Sequence, residues 1–196
     1  MFIVIEGLDG TGKSTISKKL AERLSAKLIS TPGHSFKDIR KPLDIIFSES
    51  TKARQLFYAA TVLKASEQVR ALVSSAQHVV ADRYWLSTQV YHNWMCHGEH
   101  LNLNDVEYEL ITPDLTVYLE LSLNERHKRI SMRNNNTPED IKTLTPQATD
   151  TLHNLYLNMR DSQVVGKWLR VDASNEIEFI IDTIMEKLLE LDKSLS

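Results

Sequence analysis

The run Met1-Phe2-Ile3-Val4-Ile5-Glu6-Gly7-Leu8-Asp9-Gly10-Thr11-Gly12-Lys13-Ser14-Thr15 decides the fold. Met1 to Ile5 is apolar without alternation, the pattern of a strand buried on both faces of a parallel sheet. Gly7 to Ser14 fits G-x-x-x-x-G-K-[ST], a phosphate-cradling loop between a strand and a helix. The helix is present in the pattern too, because Ile16, Leu20, Ala21 and Leu24 recur at helical spacing. Gly7, Gly10 and Gly12 allow tight turns that bring backbone N–H groups against phosphate oxygens, and the helix beginning near Lys13 adds its positive end. Gly7, Leu8, Asp9, Gly10, Thr11, Gly12, Lys13, Ser14 and Thr15 are therefore candidate phosphate-loop positions. Lys13 is expected to reach the β- and γ-phosphates and the Ser14 hydroxyl to bind Mg²⁺. The motif implies a magnesium nucleoside triphosphate and does not separate a kinase from a GTPase or a motor.

The rest of the chain sets bounds. At 196 residues it is expected to be a single domain, 1–196. Hydrophobic content of 42% and charged content of 25% are ordinary for a globular protein. The net charge of −3 argues against a nucleic-acid surface. One cysteine, Cys96, excludes an intramolecular disulfide and a cysteine zinc site. No signal peptide precedes the first strand and no apolar run is long enough for a bilayer, so a cytoplasmic enzyme without a membrane partner is expected.

Further strands are expected at Lys27 to Thr31, His78 to Asp82, Asp114 to Leu121 and Trp168 to Asp172, alternating with helices. The expected fold class is α/β, a P-loop NTPase three-layer sandwich whose five-stranded parallel sheet carries helices on both faces. The third strand ends in Asp82, placed like a Walker B carboxylate and preferred as a magnesium partner of Ser14 over a helix N-cap. Arg83 leaves that strand toward the ligand crevice. The segment His34 to Lys41, with Lys37, Arg40 and Lys41, reads as either a solvated helix start or an anion-facing loop. A long helix is expected over Gln55 to Ser75, with Phe57 read as core. Trp94 to Leu103 reads as irregular, and His92, His97 and His100 as scattered surface histidines. Thr149 to Asp161 and Glu176 to Leu191 read as helices. Arg126, Arg129 and Arg133 share one face of a basic helix, either as a solvated face or as guanidiniums closing over phosphates. Asn134 to Pro138 reads as a hinge, giving a lid at about 126–146.

Five stretches together resemble the thymidylate kinase family of nucleoside-monophosphate kinases: Phe2 to Thr15, Leu56-Phe57-Tyr58-Ala59-Ala60, Asp82-Arg83-Tyr84-Trp85-Leu86-Ser87-Thr88-Gln89-Val90-Tyr91, Pro113 to Leu119, and Val171-Asp172-Ala173-Ser174. The resemblance implies transfer of the ATP γ-phosphoryl group to a deoxynucleoside monophosphate, dTMP to dTDP, with Mg²⁺, in a homodimer. It implies that Asp9 contacts the acceptor sugar, Arg83 the acceptor phosphate, and Phe57 the acceptor base. Ser87 and Tyr91 join the substrate positions. Arg129 and Arg133 match the catalytic arginines of the bacterial-type lid, and Asp172 and Ala173 the loop beside the donor adenine.

The departures all lie on the acceptor side. The family's arginine in the segment matching 30–35 is absent from Thr31-Pro32-Gly33-His34. Its arginine after Phe-Tyr-Ala-Ala is Thr61, and its glutamine after Ser-Thr-Gln-Ala-Tyr is His92. His34 or Arg40 is the candidate replacement cation. A changed acceptor, and a catalytically silent nucleotide-binding protein, stay open at this point.

Overall fold

The computed structural model describes residues 1–97, 99–133 and 138–193. Five strands form one all-parallel sheet in the order β2-β3-β1-β4-β5. They are β1 (Phe2–Gly7), β2 (Lys27–Ser30), β3 (Val79–Asp82), β4 (Leu115–Glu120) and β5 (Lys167–Asp172). The helices are α1 (Lys13–Leu24), α2 (Lys37–Ile46), α3 (Thr51–Ser74), α4 (Trp85–Met95), α5 (Asn104–Tyr108), α6 (Leu123–Ser131), α7 (Pro138–Lys142), α8 (Pro146–Met159) and α9 (Ile177–Lys193).

The uninterrupted apolar run of β1 is explained by its central place. Ile3 and Ile5 pack with Ile16 and Leu20 of α1 and with Ile180, Ile184 and Leu188 of α9. Phe2 and Val4 face the opposite side, against Ala59, Val62 and Val69 of α3 and Trp85 of α4. Both faces are thus covered, as an all-parallel sheet requires. The register pairs Ile5 with Asp82, Ser30 with Asp82, Gly7 with Leu119, and Glu120 with Asp172. The carboxyl ends of all five strands therefore share one edge, where ligands of open α/β sheets bind.

Several expected boundaries shift. His34 to Phe36 is a 3₁₀ turn and α2 follows it, so the helical alternative for that segment is the correct one. Helix α3 begins at Thr51, and α4 runs through Trp94 into the stretch expected to be irregular. Helix α8 starts at Pro146, where the Thr145 hydroxyl caps the first turn by accepting from Ala148 N at 3.1 Å. Of the expected hinge, Asn134 to Pro138, residues 134–137 lie outside the described residues, and Pro138 begins α7.

Candidate active site

The loop between β1 and α1 is shaped by its packing. Gly7 has φ 143°, and a Cβ there would lie 2.6 Å from the Leu119 carbonyl oxygen of β4. Gly10, at φ 89°, sits under α6, where a Cβ would come within 3.1 Å of Ile130 Cδ1. Neither position accepts a side chain without strain.

Lys13 is buried. It donates to the Leu8 carbonyl at 2.7 Å and lies 4.0 Å from Asp9 Oδ1. Burial, reinforced by the Arg83 charge and only partly offset by Asp9, Asp82 and Glu6, pulls its pKa down to about 7. Ser14 donates to Asp82 Oδ2 at 2.5 Å, bringing together the two candidate magnesium positions. Both are hard oxygen donors of the kind Mg²⁺ takes.

Arg83 leaves β3 with φ 69°, its N–H donating to the Ile5 carbonyl at 3.1 Å. Its guanidinium pairs with Asp9 Oδ1, donates to Ser87 Oγ at 3.1 Å and lies over the Tyr91 ring, 5.4 Å from its centroid. Tyr91 donates to the second Asp9 oxygen at 2.7 Å. Burial alone would raise the Asp9 pKa, but Arg83, Lys13 and Tyr91 outweigh it and hold the carboxylate well below its usual range. Glu6, fully buried, accepts from the backbone N–H groups of Tyr84 and Ser87 at 3.0 and 3.2 Å and from the Ser87 hydroxyl. It caps the start of α4. Burial raises its pKa against those hydrogen bonds and the Arg83 charge.

Two cavities open on this edge. One, of about 170 Å³, is lined by Asp9, Gly10, Gly12, Lys13, Ser14, Thr15, Ser30, Thr31, Asp82, Arg83 and Arg133. The other, of about 300 Å³, lies between α2, α3, α4 and α7. Its walls include Arg40, Arg54, Tyr58, Ser87, Thr88, Tyr91 and His92. Asp9, Thr31 and Arg83 line both.

The three lid-face arginines do not act as one cluster. Arg126 is fully buried and structural. Its Nε donates to the Asp9 carbonyl at 2.7 Å, while its terminal nitrogens reach Thr149 Oγ1, Thr143 Oγ1 and the Thr143 carbonyl. Arg129 bridges the loop and the end of β5, donating to the Thr11 carbonyl at 3.2 Å and the Ala173 carbonyl at 2.8 Å. Arg133 alone lines the smaller cavity. Asp172 is exposed, accepts from Ser174 N at 2.9 Å and lines neither of these two cavities.

On the acceptor side one expectation is corrected, the surface position of His92. Phe57 packs edge-on against Phe36, at 6.1 Å between centroids, and its neighbour Tyr58 lines the larger cavity together with Tyr91 and His92. His34 is exposed on the 3₁₀ turn and lines neither cavity, whereas Arg40 lines the larger one. His92 is not a surface residue, being 3% exposed and part of the cavity wall. Thr61 is buried and bonds back to the Tyr58 carbonyl at 2.7 Å.

Sequence reasoning missed Arg54, which pairs with Asp44 at 3.0 Å and sits 6.0 Å from the Tyr58 ring centroid. The signal was its i,i+4 spacing to Tyr58, which puts both on one face of α3. Among the described residues no group of three or more histidine, cysteine or carboxylate side chains has metal-site geometry. Among them, too, no helix is long and apolar enough to cross a membrane.

Known proteins match this arrangement over nearly the whole chain. The solved structure of a deoxyadenosine kinase from M. mycoides with products dCMP and a flexible dCDP bound superposes with a TM-score of 0.69 over 97% of this chain and 100% of that one, at 20% identity. The same enzyme with bound dATP gives 0.65 over 96% and 99%, at 21% identity. At that identity the likeness establishes the fold alone. In sequence, a probable thymidylate kinase of Methanococcus maripaludis (strain C7) is 32% identical over 96% of this chain and 95% of its own length. A thymidylate kinase of Plasmodium falciparum is 27% identical over 97% and 90%. The family model described as thymidylate kinase matches residues 5–184. The chain belongs to the thymidylate kinase family, and is a phosphotransferase of the nucleoside-monophosphate kinase type.

Proposed function

We propose that the chain transfers the γ-phosphoryl group of ATP to the 5′-phosphate of dTMP, giving ADP and dTDP. The observation that carries this reading is the sharing of Asp9, Thr31 and Arg83 between two adjoining cavities. A phosphate in the smaller cavity and an acceptor in the larger one meet at that junction, and phosphoryl transfer depends on positioning.

Lys13 and the loop amides hold the donor phosphates. Ser14 and Asp82 would hold Mg²⁺, which supplies charge neutralisation on the phosphate oxygens. Arg83 orients the acceptor phosphate and Asp9 the acceptor sugar. Arg83 and Lys13, with Tyr91 donating to it, keep Asp9 ionised. Arg133 faces the donor phosphates, and Arg129 fixes the loop against the end of β5 beside the donor base. The bond from the γ-phosphorus to the bridging oxygen breaks as a bond to an acceptor phosphate oxygen forms. No strong general base is needed, because the attacking group is already an anion.

The arginine missing from 30–35 does not leave the larger cavity without cations. Arg40 and Arg54 both line it, flanking Tyr58. A changed acceptor is therefore not required by that departure, and a silent protein has no use for Arg133 in the donor cavity. A homodimer belongs to the same reading through the family resemblance, and a cytoplasmic setting is proposed with it. The test is ADP release across dTMP, dUMP, dCMP, dAMP and dGMP. dTMP is expected to give the highest kcat/KM, and failure of dTMP where another acceptor works overturns the assignment.

A further inference from the structure

Strand β1 carries one charged residue, Glu6, and that side chain is fully buried. A charge in the core is costly unless it is hydrogen-bonded or paired. One Glu6 oxygen, Oε1, accepts from Tyr84 N and Ser87 N, and the other, Oε2, faces the Ser87 hydroxyl. Ser87 Oγ is a crossing point. Arg83 Nη1 donates to it at 3.1 Å, and the Tyr156 hydroxyl of α8 lies 2.9 Å away. A guanidinium only donates. The other acceptor within reach of the Tyr156 proton, the Gly7 carbonyl, is at 3.5 Å, so that proton is directed at Ser87. These two donors fill both lone pairs of Oγ, and the Ser87 proton then points to Glu6. The hydroxyl has no bond left for a nucleotide, although Ser87 lines the larger cavity. Arg83 has donors to spare. Among the described residues its guanidinium spends one N–H on Asp9 and one on Ser87, out of five.

We propose that Glu6 is a positioning residue for the transfer: acting through Ser87, it fixes the Arg83 guanidinium at the junction of the two cavities. The inference rests on the phosphoryl-transfer reading above and not on the identity of the base. Arg83 has two anchors, and they are unequal. Asp9 is assigned to the acceptor sugar, so an arriving nucleotide competes for it. Glu6 lines neither cavity, so nothing that binds there displaces it. Because Glu6 takes the Ser87 proton, the Oγ lone pairs stay open to Arg83. A group that donated to Oγ from the same place would compete with the arginine. Transfer slows steeply when a group at the reacting phosphate is misplaced.

The test is a double-mutant cycle on kcat, run with the nucleoside monophosphate that wild type turns over fastest. The variants are Ser87→Ala, Glu6→Gln and Arg83→Gln, and each of the first two combined with the third. Ser87→Ala removes the crossing point. Glu6→Gln keeps the shape and an acceptor oxygen for the two backbone N–H groups, but turns an amide NH₂ toward Oγ in competition with Arg83. Each is expected to lower kcat about tenfold, the effect of one lost hydrogen bond, with KM for ATP unchanged. Combined with Arg83→Gln, neither lowers it further, because the arginine they position is gone. Counting sites by a bound ATP analogue keeps any unfolded fraction out of kcat. A merely structural role gives the same loss in both backgrounds. That result for either variant, or no loss in either single variant, overturns the inference and leaves phosphoryl transfer intact. Wild type without acceptor-dependent turnover overturns both.

Discussion

The Arg83 guanidinium pairs with Asp9 Oδ1, and the pair forms part of the wall common to the donor and acceptor cavities. Both ends are fixed from the backbone. Arg83 is held in the left-handed region by its N–H bond to Ile5, and the Asp9 carbonyl is clamped by Arg126. Removing the charge at this junction should strike the transfer step. Arg83→Gln is expected to lower kcat at least ~100-fold, the usual loss for one preorganised donor to a transition-state charge. KM for ATP should stay within a few-fold in steady-state kinetics.

Lys13 gives a pH-dependent signature. With a pKa of about 7 in the free site, it is about nine-tenths neutral at pH 8. A bound triphosphate adds negative charge and raises that pKa, so binding at pH 8 should take up about 0.9 proton per site, falling to about 0.1 at pH 6. Calorimetry in buffers of different ionisation enthalpy measures this. The uptake should vanish in Lys13→Met.

Arg126 and Arg133 lie seven residues apart in sequence and should separate cleanly by experiment. Arg126→Met removes a fully buried charge that ties α6 to the phosphate loop, to Thr143 and to Thr149. It should destabilise the fold by about 3 kcal/mol in urea titration, as expected when buried partners are left unpaired. Arg133 is exposed at the rim of the donor cavity. Arg133→Ala should leave the urea midpoint unchanged and reduce kcat.

Arg54 tests the acceptor side. Arg54→Ala removes one of the two cations flanking Tyr58 in the larger cavity. KM for the nucleotide acceptor should rise about 10- to 100-fold, the range for a charge-assisted contact. KM for ATP should not change.

What the sequence disclosed follows from how local each signal is. The phosphate loop was legible because a strand, a glycine turn and a helix lie within 24 residues and their chemistry is backbone chemistry. Asp82 and Arg83 were legible because a strand end in a parallel sheet has only one place to point. Helix α2 was obscured by its charged start and by Pro42, which breaks helical patterns even though here it lies inside one. Tyr58 and Arg54 were missed because facing the cavity depends on α2 packing across α3, a tertiary fact. Arg126 looked like its neighbours Arg129 and Arg133 because helical spacing reports a shared face, not which member ends up beneath α7 and α8. His92 was read as a surface residue since nothing local marks a histidine as buried.

The most direct test of the central claim is the fate of the ATP γ-phosphate. With γ-labelled ATP, Mg²⁺ and dTMP, the account predicts that the label appears in dTDP in a one-to-one ratio with ADP, and that Lys13→Ala cuts this at least ~100-fold. Label released as inorganic phosphate at the same rate with or without dTMP would contradict it.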